Sequence, residues 1–384
     1  MVTGGGTGGH VYPALTTVRE ARRIVGEDRA GPDRPELDVV WVGTATGLEA
    51  RVAAAEEGVR FRALSTGKIR RTRSLRSLWL NLVDLFKIPL GVAQALRYVM
   101  TERPHVVFSV GGYVCVPVAV AAWLTRRRLV MHEQTLNLGL ANRLVARLAD
   151  VIALSHASSI DSLPPRLARR AVVTGNPIRP GLLHGNREAA LRRYGFQDEP
   201  LVYVTGGSQG SAQINELVTA VLPELLKHCQ VVHQCGSAAE PVTRQRTASL
   251  PDDLRRRYVL LDYVGDTEMA DLLAAADVVI SRSGAGTLAE LTAAGRVTVL
   301  VPLVPTSGDE QRRNAQRVVE AGAGRMLAGA DATSENLWAH LTELLGDPAL
   351  RTAMALRSRS LGQPDAARTV AGLLLDQAHR AASA

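Results

Sequence analysis

Three glycine-rich turns carry the residues best able to do chemistry. The first reads Thr3-Gly4-Gly5-Gly6-Thr7-Gly8-Gly9-His10-Val11-Tyr12-Pro13-Ala14 and runs into a helical stretch. Glycines let a backbone approach another group closely, and the helix start that follows offers unpaired N–H groups to an anion. A second turn, Thr205-Gly206-Gly207-Ser208-Gln209-Gly210-Ser211, and a third, Ser281-Arg282-Ser283-Gly284-Ala285-Gly286-Thr287-Leu288-Ala289-Glu290, repeat the arrangement. Taken alone, the first turn is compatible with a tight strand-to-helix connection as well as with a phosphate cradle. It lacks the GK[ST] ending of a P-loop, and no clear acidic residue stands about 20 positions on, where a dinucleotide fingerprint needs one. His10 closes this turn and is a candidate general base, because imidazole titrates near neutrality, although a lone histidine also serves structural roles. In the third turn the backbone N–H groups are placed to hold a diphosphate, and Glu290, one helical turn in, to reach a sugar hydroxyl. A solvated helix-face carboxylate is the alternative reading of Glu290.

Such turns need a strand to end before them and a helix to begin after them. Short β-rich apolar runs at 39–42, 106–110, 129–131 and 151–154 alternate with Ala/Leu/Arg-rich helical stretches, and the series restarts at 201–204, 231–233, 278–280 and 297–301. Two such series predict two doubly wound α/β domains whose first two glycine turns face each other across a cleft. Thr174-Gly175-Asn176-Pro177-Ile178-Arg179-Pro180 breaks regular structure between them, so the expected divisions are 1–176, 177–355 and a terminal helical segment, 356–384, that packs back onto the first domain. At 384 residues, two domains are the prior, and 46% apolar with 21% charged residues excludes a disordered or collagen-like chain.

The formal charge of +8 points to an acidic partner, which is nucleic acid, an anionic membrane or a phosphate-bearing substrate. Aromatic residues make up only 4%, leaving little material for stacking bases, and no zinc or helix-turn-helix signature supports nucleic acid. Cys115, Cys229 and Cys235 are an odd count without CxxC spacing, which fits buried small hydrophobes in a reducing compartment. No apolar run approaches the roughly 20 residues of a membrane span, and the start lacks the charge and apolar regions of a signal peptide, so the expected location is cytoplasmic. Only Met1-Val2-Thr3 precede the first glycine, whereas a central strand runs to about five residues. The expectation is therefore a late start with strand one partly missing.

Taken in order, GGGTGGHVYPAL from Gly4 to Leu15, GGYV from Gly111, HEQ from His132, GNPIR from Gly175, GGSQGS from Gly206, RSGAGTLAE from Arg282 and DEQRRNA from Asp309 resemble the MurG family. Members of this family are UDP-N-acetylglucosamine transferases that complete the lipid-linked disaccharide-peptide precursor of the bacterial cell wall. The resemblance implies the GT-B architecture, two Rossmann-like domains with the nucleotide sugar held mainly by the second, and a peripheral location on the inner face of the plasma membrane. It implies inverting transfer from UDP-N-acetylglucosamine to the muramyl sugar of a polyprenyl-diphosphate-linked acceptor, with His10 as base. The alternative is a transferase of the same fold that acts on another lipid phosphate or a secondary metabolite. By the same resemblance, Ser208 and the Ala285-Gly286 turn bind the diphosphate, Arg179 assists, Glu290 holds the ribose, the Val264 backbone reads uracil and Gln311 contacts the donor sugar. Thr7, Gly8, Gly9, Thr135 and Glu310 complete the donor set. Thr135 stands where the family commonly has Asn, and Glu310 where it often has Gln or His. The chain holds no Asp-x-Asp, the usual metal-diphosphate clamp, so no metal or other cofactor is expected and helix N-termini with Arg meet the diphosphate charge.

Residues 67–100 interleave Lys68, Arg70, Arg71, Arg73, Arg76 and Lys87 with Trp79, Leu82, Phe86 and other apolar residues. A basic amphipathic element with Trp and Phe suits an anionic inner-leaflet surface, and a core-facing stripe with a solvated basic face is the alternative.

Overall fold

The computed structural model describes residues 1–27, 37–67, 75–207, 209–304 and 309–383, with the side chains of residues 75–87 and Pro180 outside that description. The chain divides into two compact units, Met1–Ile178 together with Asp365–Ala384, and Arg179–Pro364. The first is built on a parallel sheet of β1 (Val2–Thr3), β2 (Val39–Gly43), β3 (Val59–Ala63), β4 (Val106–Ser109), β5 (Arg128–Glu133), β6 (Val151–Leu154) and β7 (Ala171–Val173), in the order β3-β2-β1-β4-β5-β6-β7. The second carries β8 (Leu201–Thr205), β9 (Gln230–Gln234), β10 (Tyr258–Leu261), β11 (Val278–Ser281), β12 (Thr298–Leu300) and β13 (Gly324–Met326), in the order β10-β9-β8-β11-β12-β13. Two parallel doubly wound sheets are the architecture expected from the alternating runs.

In both sheets the order reverses at the first strand. β1 lies between β2 and β4, and β8 between β9 and β11. Open α/β sheets bind ligands at the carboxyl ends of strands beside such a reversal. The first glycine turn leaves β1, the second leaves β8 and the third leaves β11, so sheet topology places each of them there.

The central strands are largely apolar on both faces because helices cover both. Trp41 is fully buried among Val2, Val11, Phe108 and Val130, and Val370 and Leu374 of the helix Ala366–Ala382 join the same cluster. Burial of each such side chain contributes about 1.5–3 kcal/mol, enough to hold the terminal helix on the first unit. Residues 356–361, grouped by sequence with that terminal segment, instead finish the helix Pro348–Leu361 of the second unit, where Met354 packs with Leu337, Leu341 and Leu344. The break comes at Gly362-Gln363-Pro364, because proline cannot continue a helix and restricts the residue before it.

Candidate active site

In the first unit the chain leaves β1 at Thr3 and enters the helix Gly8–Glu27, which places His10 in its first turn. Trp41 donates its indole N–H to the Gly4 carbonyl at 3.2 Å, tying the turn to the sheet. His10 Nδ1 lies 3.0 Å from Thr7 Oγ1. The ring rests on Gly111, in the turn after β4, where φ is 103° and a Cβ would stand 2.9 Å from His10 Cδ2. Only glycine allows both that conformation and that approach. His10 is half-buried, and burial lowers its pKa from the ordinary histidine value, against the Glu133 charge and the Gly5 carbonyl, which raise it. The ring is therefore neutral at physiological pH. In the tautomer that carries its proton on Nδ1, donating to Thr7 Oγ1, Nε2 presents the lone pair that a general base requires.

Two buried carboxylates brace this region. Glu133, at the end of β5, accepts from the Thr135 N–H at 3.0 Å, Thr135 Oγ1 at 2.8 Å, Gly139 N–H at 3.3 Å and Asn142 Nδ2 at 2.9 Å. The Thr135 hydroxyl, expected at the donor, is thus engaged inside the first unit. Glu49 accepts from Thr44 N–H, Thr44 Oγ1 and, at 3.3 Å, the Gly6 N–H of the glycine turn. Sequence reading passed over Glu49, Glu133 and Asn142. Glu133 lies inside the HEQ run and Asn142 ten residues beyond His132, so an acidic residue beside a candidate base was the available signal.

In the second unit Arg179, Glu290 and Asp266 come together. Arg179 donates Nε–H to Glu290 Oε1 at 2.9 Å, Nη2–H to Glu290 Oε2 at 3.1 Å and Nη1–H to Asp266 Oδ1. Burial works against the guanidinium charge, but the two carboxylates outweigh it and raise the Arg179 pKa. The third turn leads into the helix Ala285–Ala293, whose N-cap Gly284 supplies no capping side chain, so N–H groups beside Ala285 and Gly286 remain for an anion. The helix after the second turn, Ala212–Leu225, is capped instead by Ser211, which accepts from Ile214 N–H at 3.3 Å.

Ser283 Oγ donates to the Gln311 carbonyl at 2.7 Å, and Asn314 Nδ2 donates to the Ser283 carbonyl at 3.1 Å, which ties the third turn to the helix Glu310–Glu320. Gln311 Oε1 accepts from Leu303 N–H at 2.9 Å, so its NH2 group is what it can offer a sugar hydroxyl. Glu310 opens the same helix. Val264 packs its side chain with Leu272 and Val279, leaving its main chain as the part able to face a base. Among the expected donor residues, Thr7, Gly8, Gly9 and Thr135 belong to the first unit, and Arg179, Val264, Ala285, Gly286, Glu290, Glu310 and Gln311 to the second. Ser208, Lys68, Arg70, Arg71 and Arg73 lie outside the described residues, while Trp79 and Phe86 fall on the helix Leu75–Glu102 in the stretch described by its backbone.

The second turn gives a direct test of how tightly these loops are built. Gly210 has φ 73°, and a Cβ there would stand 1.8 Å from the Cys235 carbonyl oxygen. Gly210→Ala is expected to cost at least about 3 kcal/mol, because left-handed strain and a backbone clash add. Urea unfolding of the variant measures it, and an unchanged midpoint would refute the placement of this turn.

Residues 1–154 match the glycosyltransferase family 28 N-terminal domain and residues 201–370 its C-terminal domain. A UDP-N-acetylglucosamine–N-acetylmuramyl-(pentapeptide) pyrophosphoryl-undecaprenol N-acetylglucosamine transferase from Roseiflexus sp. is 35% identical, over 97% of this chain and 93% of its own. The protein of that name from Salinibacter ruber is 36% identical, over 99% and 97%. The chain belongs to the MurG family of glycosyltransferases. The crystal structure of Acinetobacter baumannii MurG matches with a TM-score of 0.73 and 27% identity, over 98% of both chains. A UDP-GlcNAc 2-epimerase from Neisseria meningitidis shares the fold at 16% identity and a TM-score of 0.65, so the two-sheet architecture extends beyond MurG-type enzymes.

Proposed function

We infer that this hexosyltransferase moves N-acetylglucosamine from UDP-N-acetylglucosamine to the muramyl sugar of an undecaprenyl-diphosphate-linked peptide, with inversion at the anomeric carbon. The observation that carries this reading is identity of 35% over 97% of the chain to a relative named for that transfer. The site residues supply a consistent chemistry. His10 Nε2 takes the proton of the attacking hydroxyl as the new bond from that oxygen to the anomeric carbon forms. The bond from the anomeric carbon to the diphosphate oxygen breaks on the opposite face, and UDP leaves with the electron pair. Charge gathering on the diphosphate is met by N–H groups at the start of the helix Ala285–Ala293 and by Arg179. Glu290 holds the ribose, the Val264 main chain reads uracil, and Gln311 contacts the sugar. The chemistry needs no metal in this scheme, since N–H groups and a guanidinium neutralise the phosphates. UDP release from UDP-N-acetylglucosamine, followed with and without the lipid-linked acceptor, tests the reading. Release that depends on acceptor supports it, and acceptor-independent hydrolysis or none overturns it.

No described helix is long and apolar enough to cross a membrane. The acceptor's lipid is met instead by residues 67–100 lying on the anionic inner face of the plasma membrane. Each Lys or Arg near such a surface contributes about 1 kcal/mol that salt screens, whereas buried Trp or Phe contributes an area-dependent amount that salt barely weakens. Changing Arg70, Arg71 and Arg73 together to Gln is therefore expected to cut vesicle binding strongly at low salt, and Trp79→Ala at low and high salt alike. UDP affinity stays the same in both. Co-sedimentation with anionic vesicles measures it, and parental binding by both folded variants would make the segment an ordinary surface element.

A further inference from the structure

The first glycine turn has its backbone amides engaged inside the protein. Gly5 donates its N–H to the Gly111 carbonyl at 3.4 Å, and Gly6 donates to Glu49 Oε2 at 3.3 Å. A phosphate cradle needs N–H groups that are free to face an anion, and at Gly5 and Gly6 they are taken. These two glycines serve another purpose.

Glu49 supplies it. Its side chain is fully buried at the start of the helix Leu48–Ala55, and a Cβ on Gly5, Gly43 or Gly47 would run into it. The absence of side chains at those three positions thus makes room for one carboxylate. Glu49 Oε1 accepts from Thr44 N–H at 2.9 Å and from Thr44 Oγ1 at 2.6 Å, which fixes the group and leaves Oε2 for the Gly6 N–H. Gly6 has φ 87° and open space where a Cβ would stand, so no side-chain packing holds its peptide, and the bond to Glu49 is the restraint.

The next residue, Thr7, seats the base. Its carbonyl accepts the His10 N–H at 3.1 Å, and its Oγ1 lies 3.0 Å from His10 Nδ1. On the other side of the ring, Gly111, which receives the Gly5 N–H, is the residue the imidazole rests on. We propose that Glu49 is a positioning residue for His10: through Gly6 and Thr7 it sets the imidazole for proton transfer and, being fully buried, touches no substrate. This rests on the transferase reading above, with His10 as base.

The test is a double-mutant cycle in the full chain. Glu49→Gln is isosteric, keeps one oxygen for Thr44 and turns an NH2 group toward the Gly6 N–H, where two donors repel. Its kcat is expected to fall about 10- to 100-fold, as for a displaced catalytic group, while UDP Kd stays within about twofold of the parent. In the His10→Ala background the same change is expected to alter kcat by less than about twofold, because no base remains to be positioned. Thr44→Val removes one of the two bonds that hold Oε1, gives the same pattern at smaller amplitude, and decides the matter if Glu49→Gln does not fold. Independently of turnover, the His10 ring resonance in NMR spectra, identified by its loss in His10→Ala, is expected to be displaced in both variants with no substrate present. An equal loss of kcat with and without His10, or parental kcat in the folded variants, overturns the proposal. So does an unmoved His10 resonance. A parent that transfers no sugar while the resonance moves overturns the transferase reading and supports the seating of His10 by Glu49.

Discussion

His10→Ala is expected to lower kcat by roughly 10²–10⁴-fold while leaving UDP binding nearly intact, because the loss falls on proton transfer and the expected uridine and diphosphate contacts lie in the second unit. The same assignment fixes the shape of the acidic limb of the pH profile. The base form is the neutral imidazole, so activity is full above the His10 pKa and falls as pH drops through it. Burial lowers that pKa below the ordinary histidine value, and the inflection of kcat is expected below it. The Ala variant loses the inflection. Parental kcat in His10→Ala, or an acidic limb unaltered by the change, would remove His10 from the mechanism.

Arg179→Ala carries the second large effect, a fall in donor kcat/KM of about 10²–10³-fold, the size associated with deleting one preorganised donor to developing charge. It acts through stability as well. Arg179 bridges Glu290 and Asp266, and side-chain exposures of 25% for Arg179 and 19% for Glu290 put this pair between a surface and a buried bridge. Removing the guanidinium leaves Glu290 unpaired beside a second carboxylate, with an expected cost of about 1–3 kcal/mol after allowance for solvent screening. Arg179→Lys restores the charge without the two-pronged geometry and is expected to recover part of each loss. UDP titration calorimetry with thermal unfolding separates the two effects. Unchanged UDP affinity in folded Arg179→Ala would place the guanidinium outside the donor site.

The interior of both sheets was legible in the sequence because central strands, covered on both faces, must be continuously apolar. Those at 39–43, 106–109, 151–154, 201–205 and 278–281 stand out for that reason. The four sheet edges did not stand out. β3 (Val-Arg-Phe-Arg-Ala), β7 (Ala-Val-Val), β10 (Tyr-Val-Leu-Leu) and β13 (Gly-Arg-Met) are half-exposed strands paired on one side, and such positions tolerate arginine, whose charge stays in water. The glycine turns were legible through composition, and His10 through its place in one of them. The residues that brace those turns were not. Glu49 reaches the Gly6 N–H from 43 positions away, Gln134 holds Val110 from 24 positions, and Arg179 meets Glu290 across 111. Each pairing is set by strand order, which local pattern does not contain.

The most direct measurement is the structure of the product formed from UDP-N-acetylglucosamine and an undecaprenyl-diphosphate-linked muramyl peptide. Mass spectrometry is expected to show the acceptor gaining one N-acetylhexosamine, and NMR of the new anomeric proton to show the β configuration that inversion of the α-linked donor requires. An unmodified acceptor, or a product with an α linkage, would contradict inverting transfer to this lipid.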